Sequence, residues 1–321
     1  MLISFVLVYQ EFGNKVKETI DSIKKQTDND YEIILVCDRT IEDNSKDEWL
    51  KELFWNNSNI KLVFNNSIQG ASVSWNTGID LAEGEYIKFI AQGNILNPDF
   101  VETIKKELNN FKEREIDLVE YTVNLTGSVH IDTLTYLEKG KIYNLSSEFD
   151  PFAYVNVVLY NKLFKAKILN EFGFKFRRFV RFDLLFVYKV LGQTNSYLFL
   201  DTKPLGTVNI GPVSYSVFDV VNQWNHILNY YRRIGKFKQL KDYLNYSYYK
   251  VLIHLWLWEI RTYDNKILIK KATAFANRKF EDKRDDFLKN NIIFKKTNDE
   301  RFKEIVNNFG TYIKENLKRA K

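Results

Sequence analysis

The run Asn66-Ser-Ile-Gln-Gly70-Ala71-Ser-Val-Ser-Trp-Asn76-Thr-Gly78-Ile-Asp80-Leu-Ala82-Glu-Gly84-Glu-Tyr86-Ile-Lys-Phe-Ile90 predicts a helix followed by a buried strand. Gly70 and Gly84 bracket the helix, 71–82, with Gly84 placed as a C-terminal stop. Tyr86–Ile90 is a short apolar run of strand length. Outward from this pair the same alternation repeats. Strands are predicted at Ile3–Val8, Glu32–Val36, Ile60–Phe64 and Asp117–Val123, and helices at about 14–26, 46–55 and 98–113. Pro98 opens the last helix, with Asn97 before it as N-cap. Strands alternating with helices predict a mostly parallel sheet.

The second half reads differently. Gly127-Ser-Val-His130 and Gly140-Lys-Ile suggest short strands and loops across 125–160. A helix is expected near 161–171, another near 182–191, and a strand at Ser196–Leu200. From Val217 onward apolar residues recur at helical spacing: Val217, Val220, Val221, Trp224, Ile227, Leu228, Tyr231. A second long helix is expected over about 238–262, then two or three basic helices. The domain division that follows is 1–215, with halves 1–125 and 126–215, and a basic, aromatic-rich helical extension over 216–321.

Charge divides along the same line. The net charge is +6 overall, but residues 232–321 carry 23 Lys/Arg against 11 Asp/Glu. That asymmetry fits an anionic partner, a membrane surface or nucleic acid, and equally a solvated helical face. No RRM or helix-turn-helix pattern is present, so no nucleic acid is expected. The single cysteine, Cys37, rules out an intrachain disulfide framework and favours a cytoplasmic setting. The apolar start Leu2–Tyr9 lacks a basic n-region and reads as a buried strand, not a signal peptide. No uncharged apolar run approaches the roughly 20 residues a spanning helix needs. The stretch Tyr243, Tyr246, Tyr248, Tyr249, Leu252, Trp256, Trp258, Tyr263, with Lys250 and Arg261, fits a membrane interface or a set of rings covering a core. His130, His226 and His254 have no metal-ligand spacing.

Three blocks together resemble the family-2, inverting glycosyltransferases. Ser4-Phe-Val-Leu-Val-Tyr9, Asp21-Ser-Ile-Lys-Lys-Gln-Thr27 and Tyr31-Glu-Ile-Ile-Leu-Val-Cys-Asp38 are similar to that family's opening. Residues 66–89 resemble N-x-G-x-x-x-A-R-N-x-G-I-x-x-A-x-G-E-Y-I-x-F. Asn161-Lys-Leu-Phe164, Gly173-Phe-Lys-Phe176 and Phe182-Asp183-Leu-Leu-Phe186 are similar to N-K-L-[FY], G-I-x-F and E-D-L-x-F. The resemblance implies a GT-A, Rossmann-like nucleotide-diphospho-sugar transferase fold with a helical C-terminal extension. It implies a nucleotide-sugar donor, most simply a UDP-sugar, and a glycan, glycolipid or protein acceptor.

Site residues follow residue by residue. Asp38 stands where the family's carboxylate meets the uracil ring, at the carboxyl edge of the sheet where open α/β sheets bind ligands; the alternative is an aspartate that caps its loop. Asp183 matches the catalytic base that takes the acceptor hydroxyl's proton; it could equally N-cap the helix after it. Arg39, Asn76, Gln92 and Asn94 complete the donor-binding candidates, and Arg177, Arg178 and Arg181 are candidates for phosphate. The departures share a direction. The D-x-D positions, which in the family hold Mg²⁺ or Mn²⁺ on the donor diphosphate, are Ala91 and Gly93. The Arg of A-R-N is Trp75, the Glu of E-D is Phe182, and the Gly-Ser of D-G-S is Arg39-Thr40. No divalent metal is therefore expected, since Mg²⁺ prefers charged or phosphate oxygens and water. Lys88 is a further basic group in reach by sequence, though placed within a strand. The functional expectation is a bacterial hexosyl- or glycosyltransferase, peripheral at the inner face of the membrane. The alternative is a catalytically lapsed relative that serves as a binding or assembly partner of another transferase.

Overall fold

The structure, a computed structural model, describes residues 1–9, 13–39, 48–127, 136–177, 184–210 and 217–319. These residues fall into two compact units. The first comprises 1–124, 139–145 and 157–209, and the second 125–138, 146–156 and 210–321. The stretch 126–215 thus divides between the units, two of its short segments packing with the C-terminal helices.

The strands of the chain are β1 (Ile3–Tyr9), β2 (Tyr31–Cys37), β3 (Ile60–Phe64), β4 (Tyr86–Ile90), β5 (Ile95–Leu96), β6 (Leu118–Glu120), β7 (Asn124–Gly127), β8 (Lys141–Asn144), β9 (Lys162–Lys165), β10 (Ser196–Phe199) and β11 (Gly206–Ile210). The main sheet runs β3-β2-β1-β4-β9-β6-β10-β8. β3, β2, β1 and β4 are parallel, and β9 runs antiparallel between β4 and β6. Every residue of β1 and β2 is buried, because helices cover both faces of a parallel sheet and leave no polar alternation in the sequence.

The helices of this unit are α1 (Asn14–Lys24), α2 (Glu48–Trp55), α3 (Ala71–Leu81), α4 (Phe100–Asn109), α6 (Ala166–Glu171) and α7 (Leu184–Leu191), with α5 (Asp150–Tyr154) belonging to the second unit. The helix expected over 161–171 is instead a strand and a short helix. Lys162–Lys165 is drawn into the sheet because its backbone completes the ladder between β4 and β6, and Lys162 reaches Glu120 at 3.1 Å within the core.

Two glycines mark close approaches of the chain to β1. A Cβ on Gly78 would lie 2.2 Å from Val6 Cγ1, and one on Gly84 would lie 2.6 Å from Ser4 N. Gly84 is therefore not a left-handed helix stop; α3 ends at Leu81 with an extended Ala82. Gly84 is small so that its N–H can donate to Ser4 Oγ (2.8 Å) while that hydroxyl donates to Glu32 Oε1 (2.6 Å). Lys61 closes on Glu32 at 2.8 Å. Asn97 likewise does not cap α4. Its amide donates to Pro204 O, and the Val101 N–H is satisfied from a distance by Gln26 Oε1 (3.0 Å). Gln26 thus joins the end of α1 to the start of α4, satisfying one of the donors a helix start leaves open.

The second unit is helical. It contains α8 (Asp219–Arg233), α9 (Phe237–Tyr249), a π-helical turn (Lys250–Leu255), α10 (Trp256–Arg261), α11 (Lys266–Asn290), α12 (Ile292–Lys296), α13 (Glu300–Asn307) and α14 (Phe309–Arg319). The long helix expected over 238–262 is realised as α9, the π turn and α10 without a break. The aromatic stretch forms a core here. Tyr246, Leu252 and Trp256 are fully buried and pack with Phe280, Phe287 and Phe302, and the Trp256 indole donates to Val217 O at 2.7 Å. Trp256 is therefore not a membrane anchor: exposing it would dismantle the core. No helix among the described residues is long and apolar enough to cross a membrane.

Candidate functional site

The carboxyl ends of β1, β2 and β4 lie side by side, which brings Tyr9, Asp38, Arg39 and the turn Ala91–Asn94 to one edge of the sheet. Asp38 is fully buried there. Its Oδ1 accepts from Gln69 N (2.7 Å) and Asn65 Nδ2 (2.8 Å), and its Oδ2 from Gly70 N (2.8 Å). Gly70, with φ of 90°, is the residue before α3, so the carboxylate holds the loop that starts that helix at its electropositive end. Arg39 lies over the Tyr9 ring at 5.3 Å, with Nη1 donating to the Tyr9 hydroxyl at 3.3 Å.

Asn76, one turn along α3, is engaged with main chain. Its Nδ2 donates to Phe176 O (3.0 Å) and its Oδ1 accepts from Phe176 N (2.7 Å). Phe176 in turn stacks on Phe186 of α7 at 4.0 Å. The two sides of the segment 178–183 are thereby tied together beside α3. Arg178, Arg181 and Asp183 lie outside the described residues, as does His130. Arg177, the last described residue before that segment, is exposed.

Trp75 occupies the position of the family's arginine and is buried in a cluster of rings, 5.1 Å from Phe176 and 6.0 Å from Phe89. Its indole N–H has no hydrogen-bond partner among the described residues. An aromatic lining has taken the place of a cation, and it packs α3 against the residues that flank 178–183.

The exit of β4 is shaped by neighbours that sequence reading did not single out. Gly93, with φ of 85°, donates to Lys15 O (3.3 Å) and Thr19 Oγ1 (2.9 Å). Gln92 Nε2 donates to Val8 O at 3.4 Å. Asn94 is buried and accepts from Asn209 N at 3.1 Å. The signal for Lys15 was available only as topology: β1 neighbours β4, so the helix leaving β1 starts beside the turn leaving β4. Lys88 is not a phosphate ligand. It is buried, donates to Tyr160 O at 2.7 Å, and burial, aided by nearby Lys162, pushes its pKa down to about 7. Ala91 and Gly93 offer no carboxylate, and the described residues contain no group of three or more His, Cys, Asp or Glu that could hold a metal. The donor set does not fit a carboxylate-held divalent ion.

This sheet order, parallel over β3, β2, β1 and β4 with the antiparallel β9 inserted beside β4, is that of the GT-A class of fold. Residues 5–118 match the sequence model of glycosyl transferase family 2. Among curated proteins it is 27% identical over 190 residues to the poly(ribitol-phosphate) beta-N-acetylglucosaminyltransferase TarP of Staphylococcus aureus, covering 58% of this chain and 56% of that one. It is 28% identical over 118 residues to the glycosyltransferase GlyG of Streptococcus pneumoniae, covering 37% of this chain and 38% of that one. The chain thus spans about half or less of the length of these relatives. Among solved structures, S. aureus TarS 1-349 in complex with UDP-GlcNAc superposes with a TM-score of 0.63 at 15% identity, over 85% of this chain and 83% of that one.

Proposed function

We propose that the chain is an inverting glycosyltransferase that moves a sugar from a nucleoside diphosphate, most simply a UDP-sugar, to a glycan, glycolipid or protein acceptor. The observation that carries this is the tie from Asn76 to Phe176 and from Phe176 to Phe186. It anchors both flanks of the segment containing Asp183 beside the helix that Asp38 positions. In the proposed reaction Asp183 takes the proton of the acceptor hydroxyl. That oxygen attacks the anomeric carbon from the face opposite the diphosphate, and the bond to the diphosphate breaks. Asp38, Arg39, Gln92 and Asn94 line the donor side, and Arg177, Arg178 and Arg181 are available to the phosphates. UDP and UDP-GlcNAc in the TarS structures support a donor of this class.

A second reading, a lapsed transferase that binds or assembles with another, is favoured by Ala91, Gly93 and Trp75, which remove the groups that neutralise a leaving diphosphate. Calorimetry with UDP, GDP and dTDP separates the readings. Micromolar UDP binding, with UDP-sugar turnover lost in Asp183→Asn, supports the first; absence of nucleotide binding sinks it.

We place the protein in the cytoplasm, peripheral at the inner face of the membrane. Lys266, Lys270, Lys271 and Arg278 are exposed on α11 alongside Ile267, which is 68% exposed. The opposite face, Ile269, Ala272, Ala276 and Phe280, is buried. Such a face suits reversible docking on anionic lipid. Co-sedimentation with anionic vesicles that fails at low salt would remove this placement.

A further inference from the structure

We propose that Lys15 supplies the positive charge for the donor diphosphate that a carboxylate-held metal would otherwise supply. The inference rests on the donor reading above and starts from a disagreement: the exit of β4 has the place for a metal-binding carboxylate but not the carboxylate. At that place a Cβ built on Gly93 would lie 3.6 Å from Lys15 Cδ and 3.6 Å from Asn209 Nδ2. The Lys15 side chain therefore runs in van der Waals contact beside the position from which an aspartate at 93 would project.

The placement is held by main chain. Gly93 N donates to Lys15 O and to Thr19 Oγ1, and the Thr19 hydroxyl itself donates back to Lys15 O at 2.9 Å. The turn after β4 and the first turn of α1 are thus one hydrogen-bonded assembly, and the lysine is fixed relative to the turn. Lys15 is exposed, and its ammonium has no ion pair among the described residues. The first turn of α1 carries no acidic residue to neutralise it. An aspartate at 93 would turn this lysine into an ion-pair partner; with glycine there, no carboxylate at 93 competes with phosphate oxygens for its three donors. The Asn209 amide, at the same distance from the Gly93 position, offers a neutral donor beside it.

The test is titration of the full chain with UDP and with uridine, in EDTA, for wild type, Lys15→Met and Lys15→Arg. Lys15 is exposed, so neither variant is expected to disturb folding. Loss of a hydrogen bond to a charged group predicts about 10- to 100-fold weaker UDP binding in Lys15→Met. Lys15→Arg recovers most of it, and uridine binds all three alike. The salt dependence of UDP binding should flatten in Lys15→Met. Unchanged UDP affinity in Lys15→Met overturns the assignment and leaves the donor reading standing. Equal weakening of UDP and uridine also overturns it, since the lysine then acts through the fold. Tight UDP binding that appears only on adding Mn²⁺ shows that a metal carries the charge after all. If wild type binds uridine but no diphosphate, Lys15 has no such ligand; if it binds neither, the donor reading itself fails.

Discussion

The side-chain amide of Asn76 holds both backbone groups of Phe176, donating to its carbonyl at 3.0 Å and accepting from its N–H at 2.7 Å. An amide is suited to this task because it offers a donor and an acceptor on one rigid plane. Its effect is to fix one flank of 178–183 to the helix whose start Asp38 holds. Asn76→Ala leaves the Phe176 backbone without its partner, at a cost of about 1–3 kcal/mol. Asn76→Asp is expected to be no better, because a carboxylate facing Phe176 O repels it. Thermal melts should show the loss in both variants, and turnover should fall more than UDP affinity. A melt indistinguishable from wild type would mean that the tie contributes nothing.

Asp38 has a structural task and, in the proposed function, a second one at the base of the nucleotide. Three donors converge on its carboxylate. Asp38→Ala should therefore lower stability by about 1–3 kcal/mol and weaken UDP binding by a similar amount. Denaturant melts and calorimetry read the two effects separately. If stability falls and UDP affinity at a temperature well below the melt does not, the residue only caps its loop.

Lys88 makes the first unit sensitive to alkaline pH in a defined direction. Burial first, and then Lys162, depress its pKa to about 7, whereas an unfolded lysine titrates at 10.5. Between these values the unfolded chain binds the extra proton, so stability rises with pH from about 7 to about 10.5. Below that window the penalty for a buried ammonium is fully present, on the order of 3–5 kcal/mol. Lys88→Met should be more stable than wild type at pH 6.5, with the advantage shrinking by pH 10. Urea melts across this range would contradict the idea if wild type and variant ran parallel.

Glu259 acts in the opposite sense in the second unit. Burial raises its pKa to about 7 from 4.5, and the Tyr263 hydroxyl, donating at 3.5 Å, offsets little of this. Between those values the folded chain holds the proton that the unfolded chain has lost. Stability is thus fully supported below about pH 4.5 and declines as pH rises towards 7. Glu259→Gln should match wild type near pH 4 and exceed it at pH 8 by on the order of 2–3 kcal/mol. Equal melts at pH 8 would show that the carboxylate finds compensation on ionising.

The parts of the fold legible in the sequence are those where neighbours in the chain carry the signal. β3 and β4 begin and end where the apolar runs do, and α1, α3 and the helices after Val217 follow their apolar periods. The same locality explains the misreadings. Lys162–Lys165 has apolar residues that a helix could also use, and only the gap between β4 and β6 makes it a strand. Gly84 looked like a helix stop, yet the demand on it comes from Ser4, 80 positions away. Tyr246 and Trp256 could face lipid or core until the helices that bury them were in place.

The candidate site divides in the same way. Sequence by itself determined the resemblance of the N-terminal part to family-2 glycosyltransferases, the carboxyl-edge position of Asp38, the amide at 76 and the lack of carboxylate at 91 and 93, because each is a residue type at a fixed spacing. Tertiary structure alone decided what those residues face. It engaged Asn76 with Phe176, buried Lys88 against the Tyr160 carbonyl, and set Lys15 beside Gly93. The physical reason is that a side chain's hydrogen bonds, charge and exposure depend on groups brought close by strand order and helix packing, and no local pattern encodes those distances.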